Sequence, residues 1–141
     1  MTAGSLSITA PTASANLGTT VNSVGGSTIT GALGEVVVED ARDAGAGAGW
    51  IASAISTAFT PTTGTAIAAS LVGYEAGTID KVGTATYAAD DPTHLEAVIP
   101  VVTATGITGV NSATWTPSID IRVPGGASVS SYTATITHSV L

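Results

Sequence analysis

ATWTPSIDIRVPGGASVSSYTATITHSVL, residues 113–141, holds the clearest strand signals in the chain. Over 118–123, Ile119, Ile121 and Val123 alternate with Ser118, Asp120 and Arg122, the period-two pattern of a strand with one buried and one wet face. Over 132–140 the alternation runs longer. Tyr132, Ala134, Ile136, His138 and Val140 share one face, and Thr133, Thr135, Thr137 and Ser139 the other. Pro124 fixes its own φ and Gly125 is free to take a positive one, which predicts a type II turn joining the two strands. The expectation is an antiparallel hairpin finishing on a long strand, and with it an all-β chain.

The preceding residues fit the same class. The apolar run 97–103 (AVIPVVT) reads as a strand whose Pro100 implies an edge or a bulge, and Gly106 and Gly109 mark a break after it. Residues 82–87 read as a strand, Ala89-Asp90-Asp91-Pro92 as a turn, and 66–74 as either a short helix or a pair of strands. In 50–57, Ile51, Ile55 and Thr57, with Phe59 beyond, favour a strand over a helix. DARDAGAGAG, 40–49, reads as a flexible or bulged loop carrying Asp40, Arg42 and Asp43. Its Asp40–Arg42 pair reads as a surface ion pair worth about 0–1 kcal/mol. Short strands at 5–10, 27–30 and 35–39 complete the set, with Leu17, Val21 and Val24 as candidate short-strand anchors in the connection 12–26. About eight short strands between regular turn signals predict a single antiparallel β-sandwich domain, Ig-like, over 1–141.

Composition narrows the function. A chain of 141 residues can bury a core unaided. With no cysteine it has no disulfide, thiolate metal site or cysteine nucleophile. Only 9% of residues are charged, against about 25% in an ordinary soluble domain. Ten carboxylates face three cations, Arg42, Lys81 and Arg122, for a net charge of −7. Without a basic patch, neither nucleic acid nor an anionic membrane surface is an expected partner. Mean hydropathy is positive, yet no run approaches the ~18 apolar residues of a spanning helix, so membrane insertion is not expected. Met1-Thr2-Ala3-Gly4-Ser5 has neither a basic n-region nor an apolar h-region, and no signal peptide is expected.

The chemistry-bearing residues are few. His94 sits in a polar loop and His138 on the apolar face of 132–140, with no HxxxH or HxH spacing for a metal. His138 is expected to be a hydrogen-bonded, partly buried structural residue. No GxSxG elbow occurs. Asp90-Asp91 lacks the spaced oxygens of a calcium loop. Glu39 and Asp40 are adjacent on a strand and so point to opposite faces, poor geometry for a glycosidase pair. GAGAG precedes a strand and lacks the lysine of a phosphate loop. No catalytic residue, metal site or cofactor is therefore assigned. Trp50 and Trp115 are either core plugs or stacking platforms for sugar rings. Their positions at and before strands favour the core.

Three segments, GSLSITAP (4–11), GALGEVVVEDARD…GW (31–50) and ATWTPSIDIRVPGGASVSSYTATITHSV (113–140), resemble in that order the WxL-like β-sandwich domains of exported Gram-positive, actinobacterial-type surface proteins. The likeness spans both ends and the middle but not 60–110. The tryptophans of the family's two WxL motifs fall on Trp50 and Trp115, where this sequence reads Trp50-Ile51-Ala52 and Trp115-Thr116-Pro117, without the leucine. The resemblance implies a non-enzymatic domain attached non-covalently to cell wall or to neighbouring surface proteins. A looser resemblance is to the decoration and accessory proteins of tailed-phage virions, small acidic β-sandwiches that begin at their own Met without an export signal. It implies a virion-surface protein seated on a capsid or tail lattice. Three cations cannot guard the sheet edges, so an edge or face is expected to be covered by a second copy or by a partner lattice. The expected function is structural, at the virion surface, with a major capsid or tail protein, or a second copy, as partner. The alternative is a secreted WxL-like protein bound to a cell-wall polymer. Thr133, Thr135, Thr137 and Ser139 are the candidate assembly face, and Trp50, Trp115, Tyr132 and His138 the candidate core or motif residues.

Overall fold

Threonine, valine and isoleucine at alternate positions favour extended backbone, and ten strands form among the described residues. The structure, a computed structural model, describes residues 4–21 and 23–141, and of 43–47 the backbone alone. The strands are β1 (Leu6–Thr9), β2 (Ser27–Ala32), β3 (Val36–Ser56), β4 (Thr60–Pro61), β5 (Val72–Glu75), β6 (Asp80–Ala89), β7 (Ile99–Trp115), β8 (Ser118–Val123), β9 (Tyr132–Thr133) and β10 (Ile136–Val140). A 3₁₀ turn, Ala69–Leu71, precedes β5. All pairings are antiparallel. A five-stranded sheet runs β1-β3-β7-β6, with β10 joining β1 on the outer side of β3. A three-stranded sheet runs β2-β8-β5, and β4 pairs with β9. Among the described residues no helix is long and apolar enough to cross a membrane.

The long strands set the shape. At 21 residues, β3 would reach about 70 Å if straight, in a chain whose radius of gyration should be about 14 Å. It must therefore bend, and the ladder shows where. Register shifts fall between Asp40 and Trp50 on β3 and between Val82 and Thr86 on β6. In the same rows Gly83, Gly106 and Gly109 take φ of +95°, +62° and +77°, a conformation glycine adopts without strain. Bulges bend strands, and here three neighbouring strands bulge together into one fold line.

Contacts across the interior confirm the bend. The Tyr74 hydroxyl receives the Nε1–H of Trp115 at 2.9 Å and lies 3.0 Å from Nε2 of His138. Trp115 stands opposite Val36 and His138 opposite Ala54. These β3 residues would be about 60 Å apart on a straight strand, yet their neighbours share one hydroxyl. The folded sheet and the three-stranded sheet thus enclose one core, which includes Val36, Val38, Ala52, Val102, Ile107, Ile119 and Ile121. The fold is an antiparallel all-β sandwich.

Several expectations need correcting. Ser118–Val123 and the stretch 132–140 are both extended, but they are not a hairpin. β8 pairs with β2 and β5 on one sheet, while β10 pairs with β3 on the other. Alternation fixes which side chains face inward, not which strand lies alongside. Stretch 132–140 also breaks in two, because the Thr135 N–H turns to the Thr57 hydroxyl at 3.0 Å and leaves the ladder. In the turn, Ala127 N–H bonds to the Pro124 carbonyl at 3.2 Å and the positive φ falls on Gly126, not Gly125. The supposed loop 40–49 stays within β3 as its bulged middle. The side chain of Asp43 lies outside the described residues. Gly106 and Gly109 likewise lie inside β7 rather than between strands. Pro100 needs no correction, since of the expected edge or bulge it occupies a bulge, where the register slips between Ala52 and Ser53. Residues 66–74 hold the 3₁₀ turn and then β5. Leu17 is half-buried, but Val21 and Val24, 82% and 99% exposed, anchor nothing.

Candidate functional site

Polar side chains gather at the fold line. Inward-facing positions of β3 run Val36, Val38, Asp40 before the bulges and Trp50, Ala52, Ala54 after them. On β7, Asn111 stands opposite Asp40, and Ala104 stands between Trp50 and Tyr87 in one cross-strand row. Strands two apart lie about 9.6 Å from each other. With only a methyl group between them, the Trp50 and Tyr87 rings lean together to 5.7 Å between centroids.

Hydrogen bonds close this cluster. The Asn111 Oδ1 accepts the Trp50 indole N–H and the Tyr87 hydroxyl, both at 3.2 Å. Its Nδ2 donates to Asp40 Oδ2 at 3.2 Å and to the Gly109 carbonyl at 3.4 Å. Arg42 grips Asp40 through Nε and Nη2, each at 2.8 Å, and through its backbone N–H at 3.1 Å. Its Nη2 also reaches the Gly49 carbonyl at 3.2 Å. Every donor and acceptor of the Asn111 amide is used, and so is the acceptor capacity of the carboxylate. Asp40 is wholly buried. The Arg42 hydrogen bonds hold its carboxyl down at about 2, against the opposing effect of burial. The Asp40–Arg42 pair is therefore not a surface pair, because one partner has left the solvent. Asp40 and Asn111 lie on one side of the bend and Gly49, Trp50 and Tyr87 on the other, so the cluster staples the two limbs of the sheet. A saturated carboxylate has no lone pair to offer a substrate. The arrangement is built to hold a backbone shape.

The second cluster is the Trp115–Tyr74–His138 chain. An indole N–H only donates, so the Tyr74 oxygen accepts it, and the tautomer that leaves no phenol hydrogen unpaired has the Tyr74 O–H donating to Nε2 of His138. His138 is then neutral, with Nε2 as acceptor and the hydrogen on Nδ1, a buried atom without a partner among the described residues. Burial pulls the His138 pKa down to about 4 and pushes the Tyr74 phenol up.

The surface carries two further features. A cleft of about 820 Å³ opens between segments 11–20 and 127–136, floored by Ile29, Phe59, Ile67 and Ile121 and lined by no charged residue among those described. Beside it, Thr133, Thr135, Thr137 and Ser139 are all exposed. Thr137 and Ser139 stand on β10 at the edge of the folded sheet, while Thr133 lies on β9 opposite Thr60 of β4 and Thr135 between the two strands.

The singled-out residues do not converge on one place. Trp50 and Trp115 are both buried, one in each cluster, and His138 joins Trp115 through Tyr74. Tyr132 is half-buried in the cleft wall and donates to the Ser128 carbonyl at 2.7 Å. His94 lies 3.7 Å from Glu96 at the surface. Asp91 accepts the Ala76 N–H at 3.0 Å, and Asp90 accepts the Thr103 hydroxyl at 2.8 Å. Sequence reasoning passed over Asn111, Tyr74 and Tyr87. For Asn111 a signal existed, since alternation from Trp115 through Ala113 places it on the buried face. No protein-family model matches this chain, and no curated protein matches it significantly.

Proposed function

We propose that this chain is a non-enzymatic structural protein of a virion surface, a capsid decoration or tail accessory component that docks on a protein lattice. The observation that supports this reading is the charge-free edge of the folded sheet. Neither β1 (LSIT) nor β10 (ITHSV) contains a charged residue, and the exposed hydroxyls of Thr137 and Ser139 stand on β10 itself, with those of Thr133 and Thr135 on the stretch that leads into it. The cations are committed elsewhere. Arg42 holds Asp40, Arg122 donates to the Ser70 and Thr93 carbonyls, and the Lys81 ammonium lies 5.8 Å from the centre of the Tyr87 ring. An edge without lysine, proline or inward charge lacks the usual protection against pairing. On a protein whose work is assembly, that is a use rather than a defect. The buried tryptophans weigh against sugar stacking and so against the wall-bound alternative. Immunogold electron microscopy with an antibody to the purified chain tests the reading on virus particles and cell envelopes from the source culture. Gold on virions is expected. Gold confined to cell walls replaces the proposal with the wall-attached reading, and gold on neither structure overturns both.

A further inference from the structure

The free edge is specific enough to say what covers it. Ile51 and Leu141 exchange both backbone hydrogen bonds, at 3.0 and 3.1 Å. Such pairs alternate along an antiparallel ladder, so Ser139↔Ser53 and Thr137↔Ile55 are also bonded pairs. The Thr57 N–H to Thr135 carbonyl bond, at 3.0 Å, keeps the same phase. It follows that the N–H and C=O of Ile136, His138 and Val140 point away from β3. No described residue bonds to them.

The sequence of β10 is a palindrome in chemical type. Ile-Thr-His-Ser-Val reads as β-branched, hydroxyl, imidazole, hydroxyl, β-branched from either end. We propose that β10 pairs antiparallel with β10 of a second copy about a two-fold axis at His138, joining two folded sheets into one. In this register Ile136 meets Val140 of the second copy, His138 meets its counterpart, and Thr137 meets Ser139. The outward groups of Ile136, His138 and Val140 then form about six backbone hydrogen bonds. Thr137 and Ser139 fall in the close rows, where a Thr–Ser pair is favourable, on the exposed face. A two-fold interface must be self-complementary, and the type-palindrome meets that demand at every position. Because β10 carries no charge, the net −7 of each copy does not act across the seam at contact range. The inference rests on reading this edge as an assembly surface, and not on which particle bears it.

The chain has no cysteine, so introduced thiols report the register directly. Thr137→Cys and Ser139→Cys chains are purified separately and then mixed under mild oxidation. A covalent heterodimer is expected in the mixture, with little cross-linking of either variant alone. Val140→Pro removes an outward N–H that β3 does not use. It should weaken self-association by more than about tenfold while circular dichroism shows a folded chain. A wild-type chain monomeric in analytical ultracentrifugation, together with no heterodimer, overturns the proposal. So does a dimer that Val140→Pro leaves intact, which would use another face. Virion labelling with a monomeric chain would refute the pairing and keep the function. A register-specific dimer absent from particles would do the reverse.

Discussion

Lowering the pH from about 7 to about 4 sets His138 against its surroundings. The Trp115 indole donates to Tyr74, and in the tautomer that uses the Tyr74 hydrogen Nε2 of His138, 3.0 Å away, is the acceptor, so protonating the ring puts a hydrogen where the chain needs a lone pair. Burial works in the same direction and holds the pKa to about 4, from an ordinary 6.5. Between those values the unfolded chain takes up a proton that the folded chain refuses. Stability is therefore full above 6.5 and falls as the pH drops toward 4. At about 1.4 kcal/mol per pH unit the loss comes to about 3 kcal/mol, a large share of the roughly 5–15 kcal/mol that holds a domain together. Urea titrations at a series of pH values measure it, and the fluorescence of two buried indoles gives the signal. His138→Gln, which cannot titrate, should be nearly flat over the same window. If wild type and variant lose stability in parallel, or neither loses any, the hydrogen-bond chain does not work as described.

Below that window Asp40 takes over. Its carboxyl is held at about 2 against 3.8, so a further loss of about 2 kcal/mol should set in below pH 3.8 and be complete only below 2, and Asp40→Asn should remove it. Asn111→Ala strips the acceptor from the Trp50 indole and one donor from Asp40. Urea denaturation should show a loss of about 2–4 kcal/mol, and a loss under 1 kcal/mol would mean the staple bears little. Gly83→Ala and Gly106→Ala both place alanine at positive φ, but only at Gly83 would the methyl meet a backbone oxygen, Val110 O at 2.6 Å. The same assay should give about 1 kcal/mol for Gly106→Ala and at least twice that for Gly83→Ala.

Strand character was legible wherever one face is apolar. Val36 and Val38 face inward with Val37 between them, and Ile119 and Ile121 do the same on β8. Partnership was not legible, because the period-two pattern is silent on neighbours. The apparent hairpin of 118–140 is therefore two strands on two sheets. The bend was hidden for a related reason. Ala/Gly stretches such as 40–49 have too little side chain to declare a face, so a bulged strand reads like a loop. Within the clusters, Trp50, Trp115 and His138 stood out as rare residue types, while Asn111 looked like one more polar residue in a Ser/Thr-rich chain. Its role depends on a bend that brings Trp50 to it.

The fold line also dictates an order of assembly in time. Of the long pairings, β6 with β7 needs only the connection 90–98 to close, so its loop entropy is the smallest. β3 must then find β7 across the intervening residues 57–98, a non-local step of the kind that slows folding. β1 and β10 have no template until β3 is in place, since both pair with it and not with each other. The strand with the bare edge is thus among the last to be laid down. A half-folded chain has no such edge to offer, so the proposed pairing of two copies would have to wait until β10 is laid down in each.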